Sequence, residues 1–342
     1  MARKYRVGIV KGDGIGPEIV EATIDILNSL DLNISFIELE AGYGYYQKTG
    51  RSIEENFFDK VKELDAILKG PLYTPPNVRE FKSVNILIRR ELDLYANVRP
   101  FRSFEGISPR NFDIVLIREN TEDVYVGIEG RYRDKAVSLR IITGEGSRRI
   151  AKFAFRYAIQ RGFNRVTVIH KANILKETDG LFRGTFYMVA KEYPNVLADE
   201  MIVDTAAYTI VRNPERLQIL LAPNLYGDIL ADLLAGMVGS LGLCGSAQIG
   251  ENIAVFEPVH GVALDIAGKG IANPIGEILS AKMMLEYIGQ RYNDGKLIKV
   301  SEKIEEAVHI VTSRRIWTPD LGGSNRTNDV VEAIKRTLTE LL

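Results

Sequence analysis

Apolar and polar positions along the chain fall into two alternating periods. Residues 5–10 form a short apolar run, Lys11-Gly12-Asp13-Gly14-Ile15-Gly16-Pro17-Glu18 makes a turn, and an amphipathic segment follows to about Leu30. That order predicts strand, glycine turn, helix. The alternation continues with a strand-like 34–39, a helix-like 54–64 and a strand-like 66–68, which ends in the Gly/Pro-rich loop Gly70–Pro76. A helix is predicted over 83–91, with Asn85 and Arg89 on one face, and a strand over 94–100 carrying Arg99. From about residue 111 the texture turns strand-rich, at 113–118, 124–128 and 137–142. A helix at about 147–161, a strand at 165–170, a helix at about 178–192 and the segment bearing Asp204 come next. From Ala254 the α/β character returns, with long amphipathic helices at 275–290, 298–312 and 327–341. Such alternation predicts an α/β fold with a largely parallel sheet. The expected division is a large domain built from both chain ends (1–98 and 245–342) with a smaller domain (99–244) inserted.

Within this pattern, Asn224-Leu225-Tyr226-Gly227-Asp228-Ile229-Leu230-Ala231-Asp232 has helical periodicity and sets Asp228 and Asp232 four residues apart on one face. Like charges at that spacing repel unless a cation lies between them, and oxygen-only ligands suit a hard divalent ion such as Mg²⁺ or Mn²⁺. Taken alone, the pair reads more readily as two solvated aspartates on an exposed face. Three arginines on separate segments, Arg89, Arg99 and Arg118, suit a substrate with two or three carboxylates, because guanidinium groups bind carboxylates in a bidentate fork. Arg118 directly follows the apolar strand Ile114–Ile117. Tyr125 and Lys171 are the candidate proton carriers.

The amino-terminal glycines give G-x-G-x-G rather than G-x-G-x-x-G, and Pro17 then opens the helix where its missing N–H does no harm. A tight turn is favoured there over pyrophosphate binding. The second glycine-rich cluster, His260 to Asn273, is the better cofactor candidate, with Asp265 placed to accept bonds from ribose hydroxyls. Only three histidines occur and no H-x-x-x-H pair, which disfavours a histidine zinc site. Neither G-x-S-x-G nor G-x-x-x-x-G-K-[ST] is present.

Composition adds exclusions. Forty-four basic against 45 acidic residues give a net charge of −1, which offers no electrostatic footprint for nucleic acid or an anionic membrane. Cys244 is the one cysteine, so no intramolecular disulfide forms, and no apolar run approaches a membrane span. The opening residues run straight into a strand without a signal-peptide hydrophobic region, so a cytoplasmic location is expected.

Taken together, the motifs resemble the isocitrate and isopropylmalate dehydrogenase family, the decarboxylating 2-hydroxy acid dehydrogenases. The resemblance runs nearly end to end, through Gly12–Glu18, Leu92–Pro100, Arg118–Glu122, His170–Asn173, Asn224–Asp228 and His260–Pro274. It implies an isopropylmalate dehydrogenase-like fold, unlike the Rossmann type, and a homodimer made through the smaller domain. By resemblance, Arg89, Arg99 and Arg118 hold substrate carboxylates, with Ser83 and Asn85 reading the third. Asp228 and Asp232 bind Mg²⁺ or Mn²⁺ together with Asp204 of the partner subunit, while Tyr125 and the partner's Lys171 serve as acid and base. NAD is the expected cofactor, at Leu72, Thr74, Asn173, His260, Gly261, Asp265, Ile266 and Asn273, because NADP-using members carry a Lys-Tyr pair where this chain has Asp265-Ile266.

The activity so implied is oxidative decarboxylation of isocitrate to 2-oxoglutarate, with homoisocitrate and 3-isopropylmalate as alternatives. A regulatory or ligand-sensing subunit is the non-enzyme alternative. The chain departs from the family at Asp123, where many members have glycine, and at Val262 and Leu264 in the cofactor loop.

Overall fold

The computed structural model describes residues 3–78 and 80–342. The chain opens with β1 (Tyr5–Val10), α1 (Gly16–Ser29), β2 (Ile34–Glu38), α2 (Tyr43–Thr49), α3 (Phe57–Val61), β3 (Ala66–Lys69) and α4 (Val84–Glu91). Next come β4 (Ala96–Arg102), β5 (Asp113–Glu119), β6 (Glu129–Tyr132), β7 (Lys135–Ser138), α5 (Gly144–Arg161), β8 (Arg165–His170) and α6 (Thr178–Ala190). The remainder is β9 (Leu197–Ile202), α7 (Val203–Arg212), β10 (Ile219–Ala222), α8 (Asn224–Val238), β11 (Gly245–Ile249), β12 (Ala254–Pro258), α9 (Ile275–Tyr292), α10 (Gly295–Ser313) and α11 (Thr327–Leu341).

Two compact units result. The first takes the chain up to Leu92, Phe104–Ile107 and Val238–Leu342. Its strands run in the order β2-β1-β3-β12-β11, parallel except for the β11/β12 pair. β1 and β3 read as nearly unbroken apolar runs because both faces are covered by helices, and Val7, Val10, Ala66 and Leu68 have no exposed surface. Helices α9, α10 and α11 bury Met284, Leu285, Ala307, Val311 and Ile334 completely. Among the described residues no helix is long and apolar enough to cross a membrane.

The second unit takes Asp93–Ser103 and Ser108–Met237. Its strands run β4-β5-β10-β8-β9, with only β4/β5 antiparallel. A separate antiparallel hairpin, β6–β7, is exposed along its whole length. The strand expected at 124–128 is instead a short 3₁₀ turn, Val124–Val126, started by the Asp123 carboxylate accepting the Val124 N–H. Alternating valine and tyrosine there satisfies a strand pattern, but the adjacent Asp123 and Gly127 both take positive φ, which breaks an extended ladder.

Candidate active site

Register brings two of the arginines together. In the antiparallel β4/β5 pair, Asn97 lies opposite Arg118, and Arg99 follows Asn97 by two residues. A period of two places Arg99 and Arg118 on one face of the pair. Both are buried, Arg118 to 1% exposure, and Arg99 Nε donates to Asn97 Oδ1 at 3.2 Å.

Helix α8 supplies Arg118 with partners. Its first residue, Asn224, accepts from Arg118 Nε at 2.8 Å, and one turn on Asp228 Oδ1 pairs with Arg118 Nη1. A Cβ at Gly227 would sit 2.7 Å from Arg118 Cγ, so a glycine is required for the arginine stem to pass this turn of the helix. Arg118 Nη2 is buried with no hydrogen-bond partner. A buried, charged donor left open is expensive and marks the spot where an anionic group of a ligand would bind.

Tyr125 completes the group. Its hydroxyl donates to Asp228 Oδ2 at 2.6 Å, and the Arg118 guanidinium lies 5.0 Å from its ring centre. Burial, assisted by the Asp228 hydrogen bond, raises the Tyr125 pKa above its ordinary 10, so the phenol holds its proton at neutral pH. Four residues past Asp228, desolvation lifts the Asp232 carboxyl above the usual range; nearby Arg99 opposes this and the Asp228 charge adds to it.

That raised carboxyl is a physical test of the metal expectation. Two helix-borne carboxylates that repel one another, with oxygen as the only donor type, suit a hard divalent cation whose charge would reverse the shift. Among the described residues no three His, Cys, Asp or Glu side chains converge on a point within the chain. Asp204, in the first turn of α7, pairs instead with Lys171 Nζ, and that contact lowers the Asp204 pKa.

In the first unit, Arg89 is set by a buried relay. Its Nε donates to Gln248 Oε1 at 2.7 Å, Gln248 Nε2 donates to Glu257, and Glu257 pairs with Lys69, which has 1% exposure. The neighbouring Glu277 has no exposed surface, and burial pushes its carboxyl well above the ordinary range. Ser83 precedes α4 as its N-cap residue without a side-chain capping bond, and it lines a cavity with Tyr46, Phe81, Ile86 and Arg90. Asn85 keeps a buried Oδ1 without a partner.

Of the expected cofactor residues, Leu72, Thr74, His260, Gly261, Asp265, Ile266 and Asn273 belong to the first unit and Asn173 to the second. His260 Nδ1–H donates to the Gly261 carbonyl at 2.9 Å, while its Nε2 is buried without a partner. Burial lowers its pKa, which keeps the ring neutral. The Nε2 of this neutral ring is left as an open acceptor for a donor group of a ligand. Asn273, by contrast, spends its amide on Asp320 and on the Ile275 N–H.

Two residues of the Gly12–Glu18 motif had no individual role assigned from the sequence. Asp13, in the amino-terminal glycine turn, accepts the N–H groups of Tyr43, Gly44 and Tyr73 at 2.8–2.9 Å and so anchors the Leu72–Thr74 loop. The glycines around it answer to protein backbone: a Cβ on Gly12 would meet the Pro71 carbonyl at 2.3 Å, and one on Gly14 the Val262 carbonyl at 2.0 Å. Glu18 accepts from Gly270 and Ala272 N–H and from the Thr327 hydroxyl, fixing the end of the second glycine cluster.

The isocitrate/isopropylmalate dehydrogenase family model matches residues 6–334. The chain belongs to that family. Members are decarboxylating hydroxy-acid dehydrogenases acting on small molecules. It is 42% identical to the 3-isopropylmalate dehydrogenase of Methanothermobacter thermautotrophicus, over 99% of this chain and 100% of that one. It is 43% identical to the homoisocitrate dehydrogenase of Methanocaldococcus jannaschii, over 96% of each. The crystal structure of isocitrate dehydrogenase from Methylococcus capsulatus superposes with a TM-score of 0.91 at 40% identity, covering 98% of this chain and 99% of that one. The expected α/β, isopropylmalate dehydrogenase-like fold is therefore the fold of this chain.

Proposed function

We propose that the chain is an NAD-dependent, Mg²⁺- or Mn²⁺-dependent enzyme that oxidises and decarboxylates isocitrate to 2-oxoglutarate. The observation that carries this reading is the Arg118–Asp228–Tyr125 group, in which a carboxylate is shared by a protonated phenol and an arginine with one buried donor still open. That open donor takes a substrate carboxylate, with Arg99 beside it on the same strand face and Arg89 as the third cationic contact. Asp228 and Asp232 are the metal ligands of their own chain, and Asp204 of the partner subunit is proposed to complete the set.

When bound, the cation would polarise the C2 oxygen and the nicotinamide would accept the hydride from C2. Lys171 of the partner subunit receives the C2 hydroxyl proton. Once CO₂ has left, Tyr125 returns a proton to C3, a role that suits a phenol kept protonated by burial. Ser83 and Asn85 read the third carboxylate through the donors of their hydroxyl and side-chain amide nitrogen. Homoisocitrate is the second reading, favoured by the 43% identity to a homoisocitrate dehydrogenase and by the small energetic weight of one methylene.

Isocitrate, homoisocitrate, 3-isopropylmalate and tartrate tested with NAD⁺ and NADP⁺, following reduced cofactor at 340 nm as the ordinary absorbance readout, decide the matter. Isocitrate with NAD⁺ should give the highest kcat/KM. A higher value for homoisocitrate or 3-isopropylmalate moves the assignment to that substrate, and no turnover with any of them overturns the enzymatic reading.

A further inference from the structure

We propose that Arg140, acting through Asp123 and Asp179, is a positioning residue that holds in register the three backbone segments bearing Tyr125, Lys171 and Asp228. The inference rests on the roles proposed above for those three side chains. Arg140 itself touches none of them.

Its guanidinium is used on two edges. Nη2 donates to Asp123 Oδ2 at 3.3 Å and Nε lies 2.8 Å from Asp123 Oδ1 as a charge contact without hydrogen-bond geometry, while Nη1 lies 3.0 Å from Asp179 Oδ1 and donates to the Tyr226 hydroxyl at 2.8 Å. The group also stacks over the Tyr226 ring at 4.5 Å. Both carboxylates are completely buried, and Arg140 itself is 13% exposed. Two buried carboxylates near one another need such a shared cation, and a planar fork serves both where a point charge would not.

Each carboxylate spends its remaining capacity on main-chain N–H groups. Asp123 accepts from Val124 N at 2.9 Å and from Leu225 N at 2.9 Å. The first sets the 3₁₀ turn that presents Tyr125, and the second fixes the first turn of α8, three residues before Asp228. Both ends of the Tyr125–Asp228 hydrogen bond therefore hang from one aspartate. Asp179 accepts from Lys171 N at 2.6 Å, which sets the root of the lysine. The Asp123 N–H donates to the Ile141 carbonyl, so the segment carrying Arg140 is tied to the same place.

Asp123 adopts φ 70° and ψ −150°, a conformation that glycine takes freely and other residues rarely. Glycine there would relieve the backbone but remove the carboxylate contacts to Arg140, Val124 N and Leu225 N. An aspartate kept in that conformation is accounted for by what its carboxylate holds.

A purely structural ion cluster is the competing account, and two readouts separate them. Arg140→Lys keeps the charge but serves one edge only. Backbone amide exchange in the folded protein should accelerate by about tenfold or more at Val124, Lys171 and Leu225, with α9 and α10 unchanged. In the same variant kcat per folded enzyme should fall by roughly 10–100-fold while KM for the hydroxy acid stays within about threefold. Asp179→Asn should accelerate exchange at Lys171 alone. Arg140→Gln serves as a harsher variant, and if it does not fold the lysine and Asp179 variants decide. Uniform acceleration of exchange, or localised acceleration with kcat unchanged, overturns the proposal. Should the wild-type protein turn over no hydroxy acid, the functional reading fails by itself, and the exchange pattern still supports or overturns the clamp.

Discussion

The Tyr125 hydroxyl donates to Asp228 Oδ2 at 2.6 Å, so a proton donor and a proposed metal ligand share one hydrogen bond. Any movement of one is felt by the other, and the raised pKa of Tyr125 means that the shared proton stays on the phenol at neutral pH.

Replacing Tyr125 with Phe removes the donor and little volume. The expected result is a kcat loss of about 10²–10⁴-fold with only a small change in substrate KM. Steady-state kinetics against a thermal-melt control checks this, and kcat within a few-fold of wild type would remove Tyr125 from the chemistry.

Asp232 gives a pH-dependent test of the metal site. Its folded pKa lies above the unfolded value of 3.8, so its contribution to stability is present below that value and is lost as pH rises through the folded pKa. Much of the group is open to solvent, which tempers the effect. In the metal-free protein, Asp232→Asn should leave Tm unchanged or raised at neutral pH. Mn²⁺ should raise the wild-type Tm at pH 7, progressively less as pH falls toward 4, and should leave the variant Tm unmoved. A wild-type Tm indifferent to Mn²⁺ at pH 7 sinks the site.

Cofactor choice should follow the exposed Asp265, since a carboxylate beside the ribose repels a 2′-phosphate. Asp265→Lys with Ile266→Tyr should shift the ratio of kcat/KM values toward NADP⁺ by about tenfold or more. An unchanged ratio would show that this loop does not meet the ribose.

Changing Ser83 and Asn85 to apolar residues should cut kcat/KM for isocitrate far more than for 3-isopropylmalate, by about 2–3 kcal/mol in relative terms, because only the former loses charge-assisted hydrogen bonds. Equal losses would show that neither residue reads the third carboxylate.

If Lys171 serves a partner's site, two inactive variants should complement. In a mixed dimer of Lys171→Met and Asp228→Asn, one site carries both defects and the other neither. Random reassortment then returns about a quarter of wild-type activity on co-refolding. A mixture that stays inactive, with mixed dimers shown to form, assigns Lys171 to its own subunit.

Much of the fold was legible because periodicity is a direct record of burial: β1, β8 and α9–α11 lie where the apolar pattern puts them. What escaped is where pattern carries no such record. Helix α2 is a tyrosine-rich helix of about two turns whose identity depends on Gly42 and on Asp13 capping it from 30 residues away. Helix α7 follows directly on β9 with no breaker between them. Arg118 stood out in the sequence by its place at the end of an apolar strand. Arg140 did not, because its meaning lies in two aspartates 17 and 39 residues distant, which no local spacing reveals.

The reach of Glu18 has a consequence for how the chain acquires its shape during synthesis. Its partners lie 252, 254 and 309 residues further on, so the first unit, though begun first, cannot close until α11 has emerged. The second unit draws its strands from one stretch between Asp93 and Met237 and has no such wait. On the ribosome the order should therefore invert, with the middle of the chain protected from protease while its beginning remains open, and the loop that Glu18 pins should be the last part of the enzyme to form.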